Sequence, residues 1–223
     1  MIKIEQTEVF GWDAAVRGMR NPMNSWDRID SDWEFVEDPS IINPNDEVIF
    51  VLGPNDADLM RRLCKGGPVH AKFRRMITVY VDITAPLYWW KEFDTYKVGT
   101  VANSCSTMHK IHAKEFTLDD FSHDKLNVYN RQILQAYIDT INTDRKLFIE
   151  TKDKDAWYQM IQMLPSSYNQ KRTVALNYEV LVGIYRDRKN HKLDEWHEVC
   201  RWIESLPYSW IITGKENEDG ETR

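Results

Sequence analysis

The chain has 223 residues, 42% hydrophobic and 12% aromatic with nine Trp, enough apolar surface for a packed core. Its net charge of −6 disfavours binding to duplex nucleic acid, because displacing counterions from phosphates needs a surplus of Lys and Arg. Cys64, Cys105 and Cys200 are odd in number without CxxC spacing, the opening MIKIEQTEVF lacks a secretory pattern, and no apolar run has membrane-spanning length; reduced thiols, a cytoplasmic location and no membrane partner are expected.

Residues 1–10 alternate apolar and polar positions, with Ile2, Ile4 and Val9 among them, and read as a strand. Residues 12–20 read as a short helix stopped by Asn21-Pro22. Residues 23–46 are acidic, carry Pro39 and Pro44, and read as a loop whose Trp26 and Trp33 pack on something. A short strand follows at 47–52, then the turn Gly53-Pro54-Asn55, then a helix at 56–65 closed by Gly66-Gly67. The clearest strand is 73–84, where Ile77, Val79, Val81 and Ile83 share one face. Ala85-Pro86 opens a helix with Pro at its first position, running through Leu87, Trp90 and Phe93, and Gly99 with Asn103-Ser104 marks a loop.

From Asp124 onward the pattern is helical. Leu126, Tyr129, Ile133 and Tyr137 recur at helical spacing, with Ile138 and Ile141 beside them, and further helices are expected at 154–163, 173–186 and 193–205. Residues 214–223 are charged and poor in apolar side chains, which predicts a disordered or extended tail. The elements sum to one α+β domain over 1–213: a small, mostly antiparallel sheet with several packed helices.

Residues 70–107 read HAKFRRMITVYVDITAPLYWWKEFDTYKVGTVANSCST. This segment resembles the centre of flavin-dependent thymidylate synthases: a His, two residues, a Phe, a strand, an aromatic helix, an Arg-His-Arg triplet, and after a short loop a Ser followed by Arg-Tyr. His70 and Phe73 match the opening, and Glu92 stands where the family has Gln. A second stretch is similar independently: Leu164-Pro165, Thr173, Asn177 and Arg188, then an aromatic-acidic helix. Asn177 and Arg188 keep the family's separation of eleven residues. At about 100° per residue that separation returns to within about 20° of its start. Asn177, Leu181, Ile184 and Arg188 therefore form one stripe, able to line a pocket for a flat heterocycle.

The resemblance implies a homotetramer with active sites shared between subunits, a bound FAD, and a pyrimidine nucleotide stacked on the flavin. A reduced folate would supply one carbon to C5 of the pyrimidine, with NADPH as co-substrate. It assigns His70, Tyr96, Lys97 and Asn177 to the flavin, and Glu92, Ser104, Cys105, Ser106 and Arg188 to the nucleotide. No residue is assigned a catalytic role and no metal is implied.

The pattern also breaks. The Arg-His-Arg triplet aligns with Thr95-Tyr96-Lys97. The family Ser lands on Ser104, Cys105 or Ser106, with Ser106-Thr107-Met108 lacking the Arg that follows it. A further Arg before Leu-Pro aligns with Ile161. A nucleotide phosphate carries nearly two charges, and each charge-assisted bond contributes about 1.5–3 kcal/mol, so the lost arginines matter. Arg74, Arg75, Lys91, Lys110, Lys171, Arg172 and the N–H groups of 99–106 are the candidate replacements. Three readings stay open: an enzyme with an altered nucleotide or product, a non-catalytic nucleotide or flavin binder, and a scaffold.

Individual residues carry plainer alternatives as well. His70 suits a hydrogen-bonded structural role, and Arg188 suits an ion pair with Glu92 or Asp94. Cys105 could attack a pyrimidine at C6, but the resembled family needs no protein nucleophile. His109, His112 and Glu115 read as a solvated helical face rather than metal ligands. Trp89, Trp90 and Tyr96 suit core packing as well as ring stacking.

Overall fold

The computed structural model describes residues 2–35 and 48–215, so the expectations for Pro39, Pro44 and the tail from 216 lie outside the described residues. In chain order the elements are β1 (Lys3–Phe10), α1 (Trp12–Arg20), β2 (Asp32–Phe35), β3 (Val48–Val51), α2 (Pro54–Lys65), β4 (Thr78–Pro86) and α3 (Leu87–Phe93). There follow β5 (Val101–Ser104), α4 (Val128–Thr151), α5 (Lys154–Gln162), β6 (Asn169–Asn177), α6 (Tyr178–Arg188), α7 (Asp194–Glu204) and α8 (Trp210–Thr213). The fold is α+β, with a small antiparallel sheet of strand order β1-β4-β6-β5. A separate antiparallel pair joins β2 to β3, with Phe35 opposite Val48. No helix among the described residues is long and apolar enough to cross a membrane.

Several local expectations are corrected. The strand read at 73–84 begins at Thr78, because Lys72–Arg75 forms a 3-10 helix. Residues 32–35 of the acidic loop form β2. Residues 109–115 are turns, bends and irregular chain, so His109, His112 and Glu115 share no helical face. Residues 173–177 are strand rather than helix, because Val174 and Leu176 alternate into the core and Asn177 ends the run as a helix cap. Pro86 closes β4 in an extended conformation (ψ 150°) and caps α3 from outside instead of starting it. Pro54 takes the first helical turn of α2, where its missing N–H costs nothing, so that helix starts two residues earlier than read. The expected loop after Gly99 contains β5, which pairs with β6.

The described chain forms two compact units. The first takes residues up to Thr7, Val81–Lys97 and Val101–Val174. Its core gathers Ile111, Phe116, Phe121, Ile138, Ile141 and Met160, with Tyr137, Phe148 and Tyr168 at the margin. The buried Asn142 side chain holds a non-helical segment against α4. Its Oδ1 accepts from the Phe116 N–H and its Nδ2 donates to the Phe116 carbonyl, both at 2.9 Å. Both polar ends of the amide are thereby satisfied.

The second unit takes Glu8–Tyr80, Val98–Thr100 and the chain from Ala175. The Trp12 indole stacks on Phe50 at 5.5 Å and meets Tyr178 and Tyr208 edge-on. The Tyr208 hydroxyl donates to the Phe50 carbonyl and accepts from the Leu52 N–H, tying the segment before α8 to β3. A buried ion pair anchors the segment after α1. The Arg20 Nε–H donates to Asp56 at 2.6 Å, and Asp56 also accepts from the N–H groups of Asp30 and Ser31 and from the Ser31 hydroxyl. Burial raises the Asp56 carboxyl, but the bonds from Ser31, the Asp30 N–H and Arg20 outweigh it and hold it below the ordinary carboxylate range.

Asp56→Asn is expected to cost about 3–5 kcal/mol, because Arg20 is left buried without its counter-charge; urea unfolding measures it. The folded carboxyl titrates below its unfolded value of 3.8. Its contribution is therefore complete above about pH 4 and is lost as pH falls through the lowered folded value. Unfolding midpoints taken across that range should show the loss in the wild type and not in Asp56→Asn.

Candidate functional site

In the second unit, β6 hands over to α6 at Asn177. Asn177 is extended (φ −135°, ψ 169°), and its side-chain Oδ1 accepts the Val180 N–H at 3.1 Å, capping the helix. The next N–H, from Tyr178, goes to the Ile77 carbonyl at 3.1 Å. Gly99 lies against this cap with φ +78°, and a Cβ there would sit 3.1 Å from Val180 Cγ2 and 3.2 Å from Asn177 Nδ2. The amide Nδ2 thus stays beside Gly99 after Oδ1 is spent on the cap. Thr100 Oγ1, next in the chain, is buried without a hydrogen-bond partner.

Arg188 stands in the last turn of α6, about 16 Å from Asn177 along the axis, with its guanidinium 4.7 Å from the centre of the buried Trp196 ring. Leu181 and Ile184, between them, are buried in the core. The stripe is polar at its two ends and apolar between, as read from the sequence, but its middle packs into the core instead of facing a pocket. His70 is exposed on the turn after α2, with its ring against Gly66. Arg74 is buried, 3.7 Å from Glu179 Oε2, too far for a hydrogen bond, and its Nε has no partner. Burial pushes the neighbouring Cys64 thiol up, against the lowering effect of Arg74.

In the first unit, α3 sends Trp89, Trp90 and Phe93 into the core and leaves Glu92 partly buried. The Tyr96 ring packs 6.5 Å from Phe93, and Lys97 is exposed. A lattice that the sequence did not reveal lies alongside. The Arg172 guanidinium stacks on Trp90 at 4.2 Å, bonds the Asp94 carboxylate at 2.7 Å and donates to Gln170 Oε1 at 3.0 Å. Gln170 Nε2 donates to the Cys105 carbonyl and the Cys105 N–H donates to the Lys171 carbonyl, which pins the exposed segment 104–106 to β6. Lys171 in turn pairs with Asp82 at 2.8 Å, and the Thr173 hydroxyl donates to the same carboxylate at 2.6 Å. Hydrogen bonds from Lys171 and Thr173 hold Asp82 below the ordinary range. The Ser106 hydroxyl accepts from the N–H groups of Met108 and His109, so those donors are taken.

Three of the candidate replacement cations, Arg74, Lys171 and Arg172, are thus committed to carboxylates, while Arg75, Lys91 and Lys110 are exposed. Asp94 belongs to Arg172, not to Arg188. His112 packs its ring 4.8 Å from Phe148, and among the described residues no group of three or more His, Cys, Asp or Glu is placed to hold a metal ion. Periodicity could not have found the Arg172 lattice, since its members come from α3, β6 and the segment after β5.

No family model matches the chain, and no curated protein matches it by sequence. Solved structures do match. Thymidylate synthase X (ThyX) from Helicobacter pylori, crystallised with FAD and dUMP, superposes with a TM-score of 0.64 at 14% identity, covering 96% of this chain and 97% of that one. A second structure of the flavin-dependent thymidylate synthase from that organism, also complexed with FAD and dUMP, gives the same TM-score and identity over 95% and 97%. The chain has the fold of these proteins.

Gly99→Ala is expected to destabilise the protein by about 1–2 kcal/mol, the cost of placing a Cβ in the left-handed region, and to push on the Asn177 cap. Denaturant unfolding reads the first effect. Amide exchange at Val180, faster than in the wild type, reads the second.

Proposed function

We propose that the chain binds a flavin and a pyrimidine nucleotide and acts in flavin-dependent one-carbon transfer to C5 of the pyrimidine. The observation that carries this reading is the match over nearly the whole of both chains to structures holding FAD and dUMP. Asn177 and Arg188 at the two ends of α6 add to it, since they keep the spacing of the family the sequence resembles.

The donors present suit a flavin. Asn177 Nδ2 beside Gly99, together with the unpartnered Thr100 Oγ1, gives two polar groups at one end of α6 for a ring edge or a ribityl hydroxyl. His70, Tyr96 and Lys97 complete the proposed flavin set. Glu92, the segment Ser104 to Ser106, and Arg188 form the proposed nucleotide set. Bound flavin would supply hydride chemistry, with NADPH as the reductant and a reduced folate as the one-carbon donor. The residues of this chain would orient the two rings, and Arg188, its charge spread over the Trp196 face, would meet an anionic part of the nucleotide. A homotetramer in a cytoplasmic setting, built from a single α+β domain, belongs to the same proposal.

One observation favours a second reading, a binder or scaffold without turnover. Lys171 and Arg172 already hold carboxylates, which leaves fewer cations for a phosphate dianion than the resembled enzymes have.

Visible absorbance after incubation with FAD or FMN and gel filtration tests the first step. Retained flavin is the expected result; loss of both flavins would sink the proposal. NADPH oxidation stimulated by a pyrimidine nucleotide marks the enzyme, and retained flavin without stimulation marks the binder. Asn177→Asp keeps the cap acceptor and removes the amide donor. It should weaken flavin binding about tenfold, the worth of one neutral hydrogen bond, with the unfolding midpoint held.

A further inference from the structure

We propose that Lys72 and Arg75, in the turn between α2 and β4, form a site for the phosphate group of a small ligand. This deepens the preceding reading and rests on it only for which molecule carries the phosphate. From Leu59 to Val81 the chain holds no Asp or Glu against six Arg and Lys, although carboxylates outnumber these cations 35 to 29 in the whole chain. Four of the six have a local use. Arg62 bonds Asp58 at 2.9 Å, Arg61 lies 4.8 Å from the centre of the Trp210 ring, and Arg74 is buried toward Glu179. Lys65 closes the last turn of α2, where a cation meets the negative end of the helix dipole. Lys72 and Arg75 have no such use. Both are exposed, and neither has a carboxylate within ion-pair distance among the described residues.

The local backbone sets these two cations side by side. The N–H groups of His70 and Ala71 both donate to the Gly67 carbonyl at 3.0 Å, so the chain turns sharply after α2. It then runs through the 3-10 helix Lys72–Arg75. In that geometry side chains three residues apart eclipse, separated by about 6 Å along the axis. Phe73 and Arg74 take the buried side, which leaves Lys72 and Arg75 stacked on the outer one. The Met76 N–H donates to the Phe73 carbonyl at 2.9 Å and fixes the far end of the turn. Like charges held on one helical face repel, and the fold supplies no counter-charge. An anion placed between them replaces that repulsion with charge-assisted hydrogen bonds.

Charge also sets the size of the ligand. A net charge of −6 opposes a long polyanion, which needs basic surface along many phosphates. Two cations about 6 Å apart suit one phosphate or one diphosphate. Val69, 72% exposed in the same turn, offers an apolar contact to the rest of such a molecule. Unlike Lys171 and Arg172, which already hold Asp82 and Asp94, this pair keeps its full charge for a ligand. A flavin phosphate and a nucleotide phosphate share the chemistry the site would read.

Calorimetric titration of the full chain with sodium pyrophosphate, at an ionic strength fixed by NaCl, tests the site without any flavin. The wild type should bind. Lys72→Gln and Arg75→Gln should each weaken binding about tenfold, the worth of one charge-assisted bond, with circular dichroism unchanged. Lys91→Gln, at an exposed lysine on α3, should leave binding as it is. Two ligand pairs then identify the source of the phosphate: FMN against riboflavin, and dUMP against deoxyuridine. The pair whose phosphate-bearing member loses its advantage in the double variant, Lys72→Gln with Arg75→Gln, is the one that uses the site. No pyrophosphate binding by the wild type overturns the proposal, as does an equal loss in Lys91→Gln. A phosphate advantage kept by both pairs in the double variant also overturns it. Pyrophosphate bound with no flavin retained would defeat the preceding reading alone, and flavin retained without pyrophosphate binding would defeat this one alone.

Discussion

The junction of Asn177 and Tyr178 holds the second unit together. At this point the chain leaves an extended conformation and enters a helix with the Tyr178 and Val180 N–H groups both satisfied. Asn177 caps α6, and the Tyr178 N–H reaches the Ile77 carbonyl. The Tyr178 hydroxyl donates to the Pro207 carbonyl while its ring, fully buried, meets Trp12 edge-on. Burial drives that phenol far above its ordinary range, so it serves as a neutral donor at any physiological pH. One residue thus ties α6 to α1 and to the segment before α8. The polar ends of α6 are held in place by the hydrophobic burial of its middle.

Charge is arranged with the same economy. A net charge of −6 allows a surplus of carboxylates, and the structure spends several of them on cations that would otherwise face solvent or ligand. Arg172 is flanked by Asp94 and the Trp90 face, and Lys171 by Asp82. Such surface pairs contribute little to stability. Their larger effect is to reduce the positive potential available to an anion, which separates this chain from the arginine-rich pattern its sequence resembles.

Much of the fold was legible. α1 coincides with the reading, and Val79, Val81 and Ile83 form the buried face of β4 that alternation predicts, with Ile77 buried just before the strand. The helix at 193–205 differs from α7 only at its ends. The error at 173–177 has a physical origin. Val174, Leu181 and Ile184 fall in one helical stripe if 173–186 is read as a single element, whereas Leu176 lies about 160° from Val174 on that wheel and fits only the alternating strand that the Asn177 cap ends. The eleven-residue relation of Asn177 to Arg188 was visible because both ends lie on one helix and its cap. The stacking of Arg172 on Trp90 was not, because it joins residues eighty-two positions apart with no periodic signal.

The three cysteines differ in a way that offers an experimental handle. Cys200 is buried, its thiol pushed up to about 11 by burial, and Cys64 is partly buried with its thiol also raised. Cys105 alone is exposed, and its backbone is fixed on both sides by bonds to β6. A maleimide fluorophore added at neutral pH therefore attaches at one native position, on a rigid sheet edge within the segment proposed to meet the nucleotide. The unaltered chain thus carries its own attachment point for an optical reporter of ligand arrival.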